Sequence, residues 1–216
     1  MDNYFIMNKI ENFRINYNLG ALRRKDLSAS PINQFKLWFN ELSPECDFNA
    51  MVLSTYSNLD GIQNRVVLLK EIKRDGFIFY TNYNSLKSRQ IERNNNVSIC
   101  FFWPDRQRQV RVNGKAYKIS TQASMQYFKK RPRKSQISAW VSDQSQVVLN
   151  RKKIESQFLY FSNKFKGKIV PKPTYWGGYK VIPETFEFWQ GRENRMHDRF
   201  LYQKSHSRWG IKRLNP

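Results

Sequence analysis

Apolar and polar positions along the chain change their period several times. From Ser30-Pro31, a side-chain cap followed by proline in the first helical position, Ile32, Phe35, Trp38, Phe39 and Leu42 follow at the spacing of one helix face. The pattern then turns extended. Runs over 51–56, 65–71 and 77–81 read as strands, punctuated by Asp60-Gly61 and Asp75-Gly76, pairs favoured in hairpin turns. Ser85 is placed to cap a short helix reaching about residue 93. Runs over 97–103 and 109–119 predict a further hairpin, in which Val110 and Val112 alternate with Arg111 and Asn113. Helices are expected over 121–131 and about 151–165. After the Pro171-Lys172-Pro173 loop, strands are expected over 179–182, 185–190, 197–203 and 209–214. Many antiparallel strands with few helices predict a mainly β fold with peripheral helices, its sheet closed or sandwiched.

Composition narrows the class. The 216 residues, 40% hydrophobic and 15% aromatic, have globular values and suffice for one large domain or two small ones. Cys46 and Cys100 show no metal or redox spacing and suit a reducing cytosol. The first residues lack a signal-peptide pattern, and the longest apolar runs, 66–69 and 99–103, are too short to span a bilayer. A cytoplasmic protein is therefore expected. The net charge of +21, from 38 Lys and Arg against 17 acids, raises nucleic-acid binding as a second hypothesis. The cations are spread from Arg14 to Arg213, with knots at Arg23-Arg24-Lys25, 129–134 and Arg151-Lys152-Lys153. No zinc-finger spacing, RNA-binding aromatic motif or basic-leucine-zipper pattern accompanies them.

Four clusters carry candidate chemistry. In Trp189-Gln190-Gly191 and Arg195-Met196-His197-Asp198-Arg199, strand alternation would project Arg195, His197 and Arg199 from one side, an imidazole between two guanidiniums. A solvated basic strand is the bland alternative. Arg65-Val66-Val67-Leu68-Leu69-Lys70 is an apolar strand with a cation at each end; in a regular strand the two face opposite sides. Tyr80 and Thr81, with Ser85 and Lys87 at a helix start, favour a phosphate, although simple capping explains Ser85 equally well. Tyr127 and Arg131 lie one helical turn apart, and Pro132 turns the chain so that Ser135 can return alongside, a set suited to a phosphomonoester. The end of that helix, being negative, opposes an anion, so the cations must outweigh it.

Taken together, these residues resemble a known family. The ordered motifs are Arg65-Val66-Val67-Leu68-Leu69-Lys70, Phe79-Tyr80-Thr81-Asn82, Arg108-Gln109-Val110 and Arg131-Pro132-Arg133 with Ser135-Gln136-Ile137. Ala139-Trp140-Val141-Ser142, Gln144-Ser145, Trp176-Gly177-Gly178, Phe188-Trp189-Gln190-Gly191, Arg195 to Arg199, and Arg213-Leu214 with Pro216 complete them. From about Arg14 onward the chain resembles the pyridoxine/pyridoxamine 5'-phosphate oxidases. The resemblance implies a single FMN-binding split β-barrel domain, with about 1–20 a mobile N-terminal segment. It implies a homodimer with FMN at the subunit interface. The implied activity is oxidation of pyridoxine or pyridoxamine 5'-phosphate to pyridoxal 5'-phosphate, with O2 as acceptor, giving H2O2 and, from the amine, ammonia.

By the same resemblance, FMN would be held by the 65–70 run (Arg65, Val66, Val67, Leu68, Leu69, Lys70) with Tyr80, Thr81, Lys87 and Gln109, completed by Gln144, Ser145, Trp189 and Arg199. Substrate would meet Lys70, Tyr127, Arg131 and Ser135, with Arg195, Met196 and His197 over its ring and Arg14 and Tyr17 closing over it. Arg195 and His197 would be catalytic; no metal is implied. One departure is visible: Ser85-Leu86-Lys87 stands where the family usually has Ser-Arg-Lys, leaving Arg89 as a possible substitute. A split-barrel flavin carrier without oxidase activity is the remaining alternative.

Overall fold

The structure, a computed structural model, describes residues 10–12, 14–43, 47–206 and 208–216. Cys46 and most of the first ten residues of the predicted mobile segment lie outside the described residues.

Nine strands form one sheet: β1 (Ala50–Ser57), β2 (Gly61–Leu68), β3 (Glu71–Lys73), β4 (Gly76–Asn82), β5 (Asn96–Trp103), β6 (Arg108–Lys118), β7 (Trp176–Gln190), β8 (Asp198–Ser205) and β9 (Arg208–Leu214). Their order is β2-β1-β5-β6-β7-β4-β3, all antiparallel, with β8 on β7 and β9 on β8. β2 and β3 end opposite edges of this path, yet only Leu69 and Lys70 separate them in the chain. The Leu69 N–H donates to Asn49 O and the Lys70 N–H to Ile78 O, each at 2.8 Å, so neighbouring residues bond to opposite edges. The sheet is therefore closed into a barrel, which leaves no unpaired edge there.

This closure also corrects the expected 65–71 strand. It is two strands, β2 and β3, because the chain leaves β1 and joins β4 at that point. β7 shows the reverse. Two strands were expected over 179–182 and 185–190, but one strand runs unbroken through a register shift opposite Asn113 and Gly114. A Cβ on Gly114 would meet Ile182 O at 2.1 Å, so glycine permits this bulge. Along one edge β7 pairs with β6; along the other it pairs first with β4 and then with β8. That division splits the barrel.

Alternation fills the interior: Val97, Ile99, Phe101 and Trp103 of β5, Val110 and Val112 of β6, and Phe186 and Phe188 of β7 are all buried. Helix α1 (Pro31–Asn40) begins as expected, with Ser30 Oγ accepting from the Asn33 N–H, and it plugs the barrel. Its Phe35 ring lies 4.8 Å from both Phe77 and Phe101 and 5.8 Å from Trp103. The other helices are α2 (Leu86–Arg93), α3 (Thr121–Lys130), α4 (Arg133–Val141) and α5 (Arg151–Lys164). Phe128 of α3, Ile137, Ala139 and Val141 of α4, Phe165 and Trp176 form a second, smaller core over the first half of β7. α4 was not expected, because its buried Ile137, Ala139 and Val141 follow every second residue.

The plug makes a direct prediction. Phe35→Ala should lower unfolding free energy by about 3–5 kcal/mol, the usual cost of an aromatic-sized core cavity, measured by equilibrium urea unfolding. A loss below about 1 kcal/mol would mean that α1 does not seal the barrel.

Candidate functional site

β2, the end of β4, the start of α2 and the α3–α4 corner enclose a cleft of about 920 Å³. Thirteen of the expected residues line it: Arg65, Val66, Val67, Leu68, Lys70, Tyr80, Thr81, Lys87, Tyr127, Arg131, Ser135, Gln144 and Ser145. Arg65 and Lys70 both reach it. The opposite-face expectation fails because β2 ends at Leu68, so alternation does not carry through to Lys70. Leu69 is the exception in that run: its side chain is 4% exposed and belongs to the barrel core. Asn82, Lys130, Ser142 and Trp176 line the cleft without having been assigned to it.

At one end of the cleft sit two cations. Lys87 is buried, and its Nζ donates to Gln144 Oε1 (2.8 Å), Ser85 Oγ (3.2 Å) and Thr81 Oγ1 (3.3 Å). Arg65 Nη1 donates to Thr55 Oγ1 (2.5 Å), Gln63 O (2.9 Å) and Leu53 O (3.2 Å). Every one of these acceptors is neutral, and among the described residues neither cation has a carboxylate partner. Burial, and secondly the nearby Arg65 charge, pushes the Lys87 ammonium down to about 8. Burial also lowers Arg65. Two like charges held together by neutral oxygens make a seat for an anion.

Ser85 precedes α2, but its hydroxyl does not cap the helix; it donates to Asn82 O. The Leu86 N–H instead donates to Ser145 Oγ at 3.2 Å. With Asn82 Nδ2 on Ser142 O and Lys87 on Gln144, this bond docks the 142–145 loop onto the helix start. Leu86 itself lines the cleft, whereas the Arg89 guanidinium turns back to Asn84 O at 2.6 Å and lies outside it.

The other end is aromatic. Tyr127 stacks on Tyr80 at 3.9 Å, and Tyr80 on Trp176 at 5.3 Å, both pairs 8° from parallel. A Cβ on Gly178 would meet Tyr80 Cε1 at 2.9 Å, so glycine makes room for this stack. The Tyr80 hydroxyl donates to Glu71 Oε1 (2.9 Å), and burial followed by this bond holds its proton on. Arg131 is not a helical residue one turn beyond Tyr127, as expected. α3 stops at Lys130, and the extended Arg131 lays its guanidinium 4.6 Å over Trp176. Its Nη1 is buried with no hydrogen-bond partner, and burial lowers its affinity for the proton. The opposing end of α3 is neutralised locally: Gln136 Nε2 donates to the carbonyls of Phe128, Lys129 and Arg131. Ser135 sits in the first turn of α4, where helix N–H groups favour an anion.

The remaining expected residues form a second cluster at the far end of β7. Gln109, Trp189 and Arg199 lie in one register row across β6, β7 and β8. Arg199 Nε donates to Glu187 Oε1 (2.9 Å) and its Nη1 to Asn215 O. His197 packs on Trp189 at 4.6 Å, and Tyr17 covers both rings at 5.7 and 5.8 Å. Gly191 is close-packed against Tyr17, where a Cβ would meet its Cγ at 2.9 Å.

The alternating row of Arg195, His197 and Arg199 is not strand geometry. Glu193–Arg195 is a 3-10 turn, Asn194 and Arg195 have φ of 55° and 61°, and β8 starts only at Asp198. Burial first, then the charges of Arg195 and Arg199, nevertheless hold the His197 imidazolium below its ordinary range. The Arg192 N–H donates to His197 Nδ1 at 3.1 Å, which leaves the neutral ring's proton on Nε2. Met196 is exposed, and Arg14 Nη1 donates to Glu11 O at 2.6 Å.

Among the described residues, none of the second cluster lines the cleft in one chain. Trp176 lines the cleft and Trp189 the second cluster, thirteen residues and roughly 40 Å of strand later. Among the described residues, no group of three or more His, Cys, Asp or Glu is placed to hold a metal ion, and no helix is long and apolar enough to cross a membrane.

Comparison with known proteins converges on one family. The sequence profile for pyridoxamine 5'-phosphate oxidase matches residues 43–164, and that for the pyridoxine 5'-phosphate oxidase C-terminal dimerisation region matches 176–216. A pyridoxine/pyridoxamine 5'-phosphate oxidase of Hahella chejuensis is 46% identical over 96% of this chain and 100% of its own. One from Escherichia coli is 46% identical over 97% of both chains. Among solved structures, PhzG of Burkholderia lata, in complex with tetrahydrophenazine-1-carboxylic acid, has a TM-score of 0.85 over 91% of this chain and 98% of its own, at 23% identity. A pyridoxamine 5'-phosphate oxidase-related, FMN binding protein of Nostoc punctiforme gives 0.69 over 88% and 100%, at 15% identity. These two likenesses speak to the fold, a split β-barrel. With both profiles matched and relatives aligned along nearly its whole length, the chain belongs to the pyridoxine/pyridoxamine 5'-phosphate oxidase family of oxidoreductases.

Proposed function

We propose that this chain oxidises pyridoxamine 5'-phosphate and pyridoxine 5'-phosphate to pyridoxal 5'-phosphate, using FMN and passing electrons to O2 with release of H2O2. The observation that carries this reading is a cleft with two separate anion seats. One is the Arg65–Lys87 pair without counter-ion; the other is Arg131, with a buried, unpartnered Nη1 above an aromatic wall. A flavin phosphate and a substrate phosphate are two such anions, and the stacked Tyr127, Tyr80 and Trp176 rings suit planar ligands.

In this reading Arg65, Lys87, Thr81, Gln144 and Ser145 hold the FMN phosphate end, with Val66, Val67, Leu68 and Lys70 along its ring. Bound FMN supplies the two-electron acceptor for the substrate's C4' carbon. Arg131, Tyr127, Ser135 and Lys70 hold the substrate phosphate and so orient that carbon. Gln109, Trp189 and Arg199 complete the cofactor site, and Arg195, Met196 and His197 the substrate site, from a second copy of the chain. Arg195 offers a permanent cation and His197 an Nε2–H donor, groups that hold the substrate ring and favour loss of a proton from its reacting substituent. Arg14 and Tyr17 close over it. The outer faces of β1, β2 and β5 support a homodimer, since Val52, Ile62, Val66, Leu68 and Phe102 are exposed together there. Val66 and Leu68 also line the cleft, so the apolar face runs into the site.

The test is an oxidase assay on the yellow, FMN-loaded protein. Aldehyde should form from pyridoxamine 5'-phosphate with oxygen consumed. Arg131→Ala should raise KM for that substrate roughly tenfold to a hundredfold with FMN retained, because a charge-assisted phosphate contact contributes about 1.5–3 kcal/mol. An unchanged KM removes Arg131 from the substrate seat; absence of turnover in the flavin-loaded wild type sinks the oxidase reading.

Lys87 sets a pH dependence. Its folded value, about 8, lies below the ordinary 10.5, so between those values the unfolded chain binds more protons and apo stability should rise with pH. A dianionic phosphate favours the charged ammonium, so FMN binding in the same window takes up a proton. Affinity should be flat from pH 7 to about 8 and then fall by up to about tenfold per unit, read by fluorescence titration. A flat profile to pH 10 would detach Lys87 from the phosphate.

A further inference from the structure

We propose that Thr55 and Gln90 are positioning residues for the cofactor seat, forming a buried relay that sets the Arg65 guanidinium beside Lys87. The proposal rests on the reading of that end of the cleft as the FMN phosphate site. Thr55 projects inward from β1 and is 2% exposed; Gln90 lies on the buried face of α2 and is 0% exposed. Neither lines the cleft.

The hydrogens in this relay run in one direction only. Arg65 is always protonated and cannot accept, so Thr55 Oγ1 must accept from Nη1 at 2.5 Å. The Thr55 hydroxyl proton then goes to Gln90 Oε1, also at 2.5 Å. With its oxygen committed, the Gln90 amide turns Nε2 toward Gly61 O at 3.1 Å. Gly61 opens β2, the strand that carries Arg65, so the relay leaves and rejoins one strand through α2 and β1.

The relay matters because of what faces it. Lys87 and Gln90 are three residues apart on α2, so one helix presents one cation and restrains the other. Lys87 feels the Arg65 charge, and the two repel. An unrestrained arginine, on a long flexible stem, would swing away from a neighbouring ammonium toward water. Thr55 and Gln90 keep it in place before any phosphate arrives, which is preorganisation rather than contact. Ordinary buried hydrogen bonds joining a helix to a barrel would show the same geometry, so the distinguishing quantity is the response to the phosphate itself.

Full-length apo-protein is titrated with FMN and, separately, with riboflavin, which lacks the phosphate, for the wild type, Thr55→Val, Thr55→Ser and Gln90→Met. The wild type should prefer FMN. Thr55→Val, which removes a charge-assisted bond, should weaken FMN tenfold or more, and Gln90→Met, which removes the neutral bond that orients Thr55, severalfold, with riboflavin affinity held within about twofold. Thr55→Ser, which keeps the hydroxyl, should bind as the wild type does. If the wild type binds both flavins equally, the phosphate reading of the cleft fails and takes the proposal with it. If the wild type prefers FMN but the variants keep that preference, or lose both flavins in parallel, Thr55 and Gln90 are structural only. Should Thr55→Val not fold, Gln90→Met decides between these outcomes.

Discussion

The backbone at Leu69 and Lys70 holds the rest together. One N–H bonds toward β1 and the next toward β4, and that single change of direction closes the barrel. Closure brings β2, with Arg65 to Leu68, beside β4, with Tyr80 and Thr81. Without it the apolar run would be an edge strand, and the cleft would have no wall on that side. Leu69 is held in the core for the same reason, which is why the one buried residue of the run does not line the cleft.

Inside that frame the protein stores unpaired charge. Arg65 and Lys87 are held by neutral oxygens, and Arg131 leaves a buried nitrogen without an acceptor. Desolvation disfavours each cation in the apo chain, as the lowered Lys87 value shows. A phosphate bound there, as proposed, would meet donors already oriented and stripped of much of their water, so its binding would restore what folding gave up. The aromatic wall contributes in the same sense, since its rings are stacked before a ligand enters.

Local pattern made the strands and α1 legible. Val110 and Val112 alternate inward as expected, and Ser30-Pro31 starts a helix that buries Ile32, Phe35 and Trp38. The failures share a cause, long-range geometry overriding a local period. The 65–71 run looked uniform because closure depends on Asn49 and Ile78, neither of which is near it in sequence. Ile137, Ala139 and Val141 had a strand's spacing but lie in a helix packed against Phe128 and Trp176. Arg195 was placed by alternation, whereas left-handed backbone at Asn194 and Arg195 turns the chain before β8 begins. The candidate residues were legible as motifs, but nothing local showed that they divide between opposite ends of β7.

In the proposed dimer each site would take its phosphate seats from one chain and its Trp189–His197 cluster from the other. Subunit complementation tests it most directly. A Lys87→Ala chain, defective in the cleft, is co-expressed with a His197→Ala chain, defective in the second cluster, each variant being nearly inactive alone. Random pairing makes half the dimers mixed, and one of their two sites is then free of both substitutions, so about a quarter of wild-type activity should return. Activity no higher than the mean of the two parent variants would show that every site is built from a single chain, and the account would be wrong.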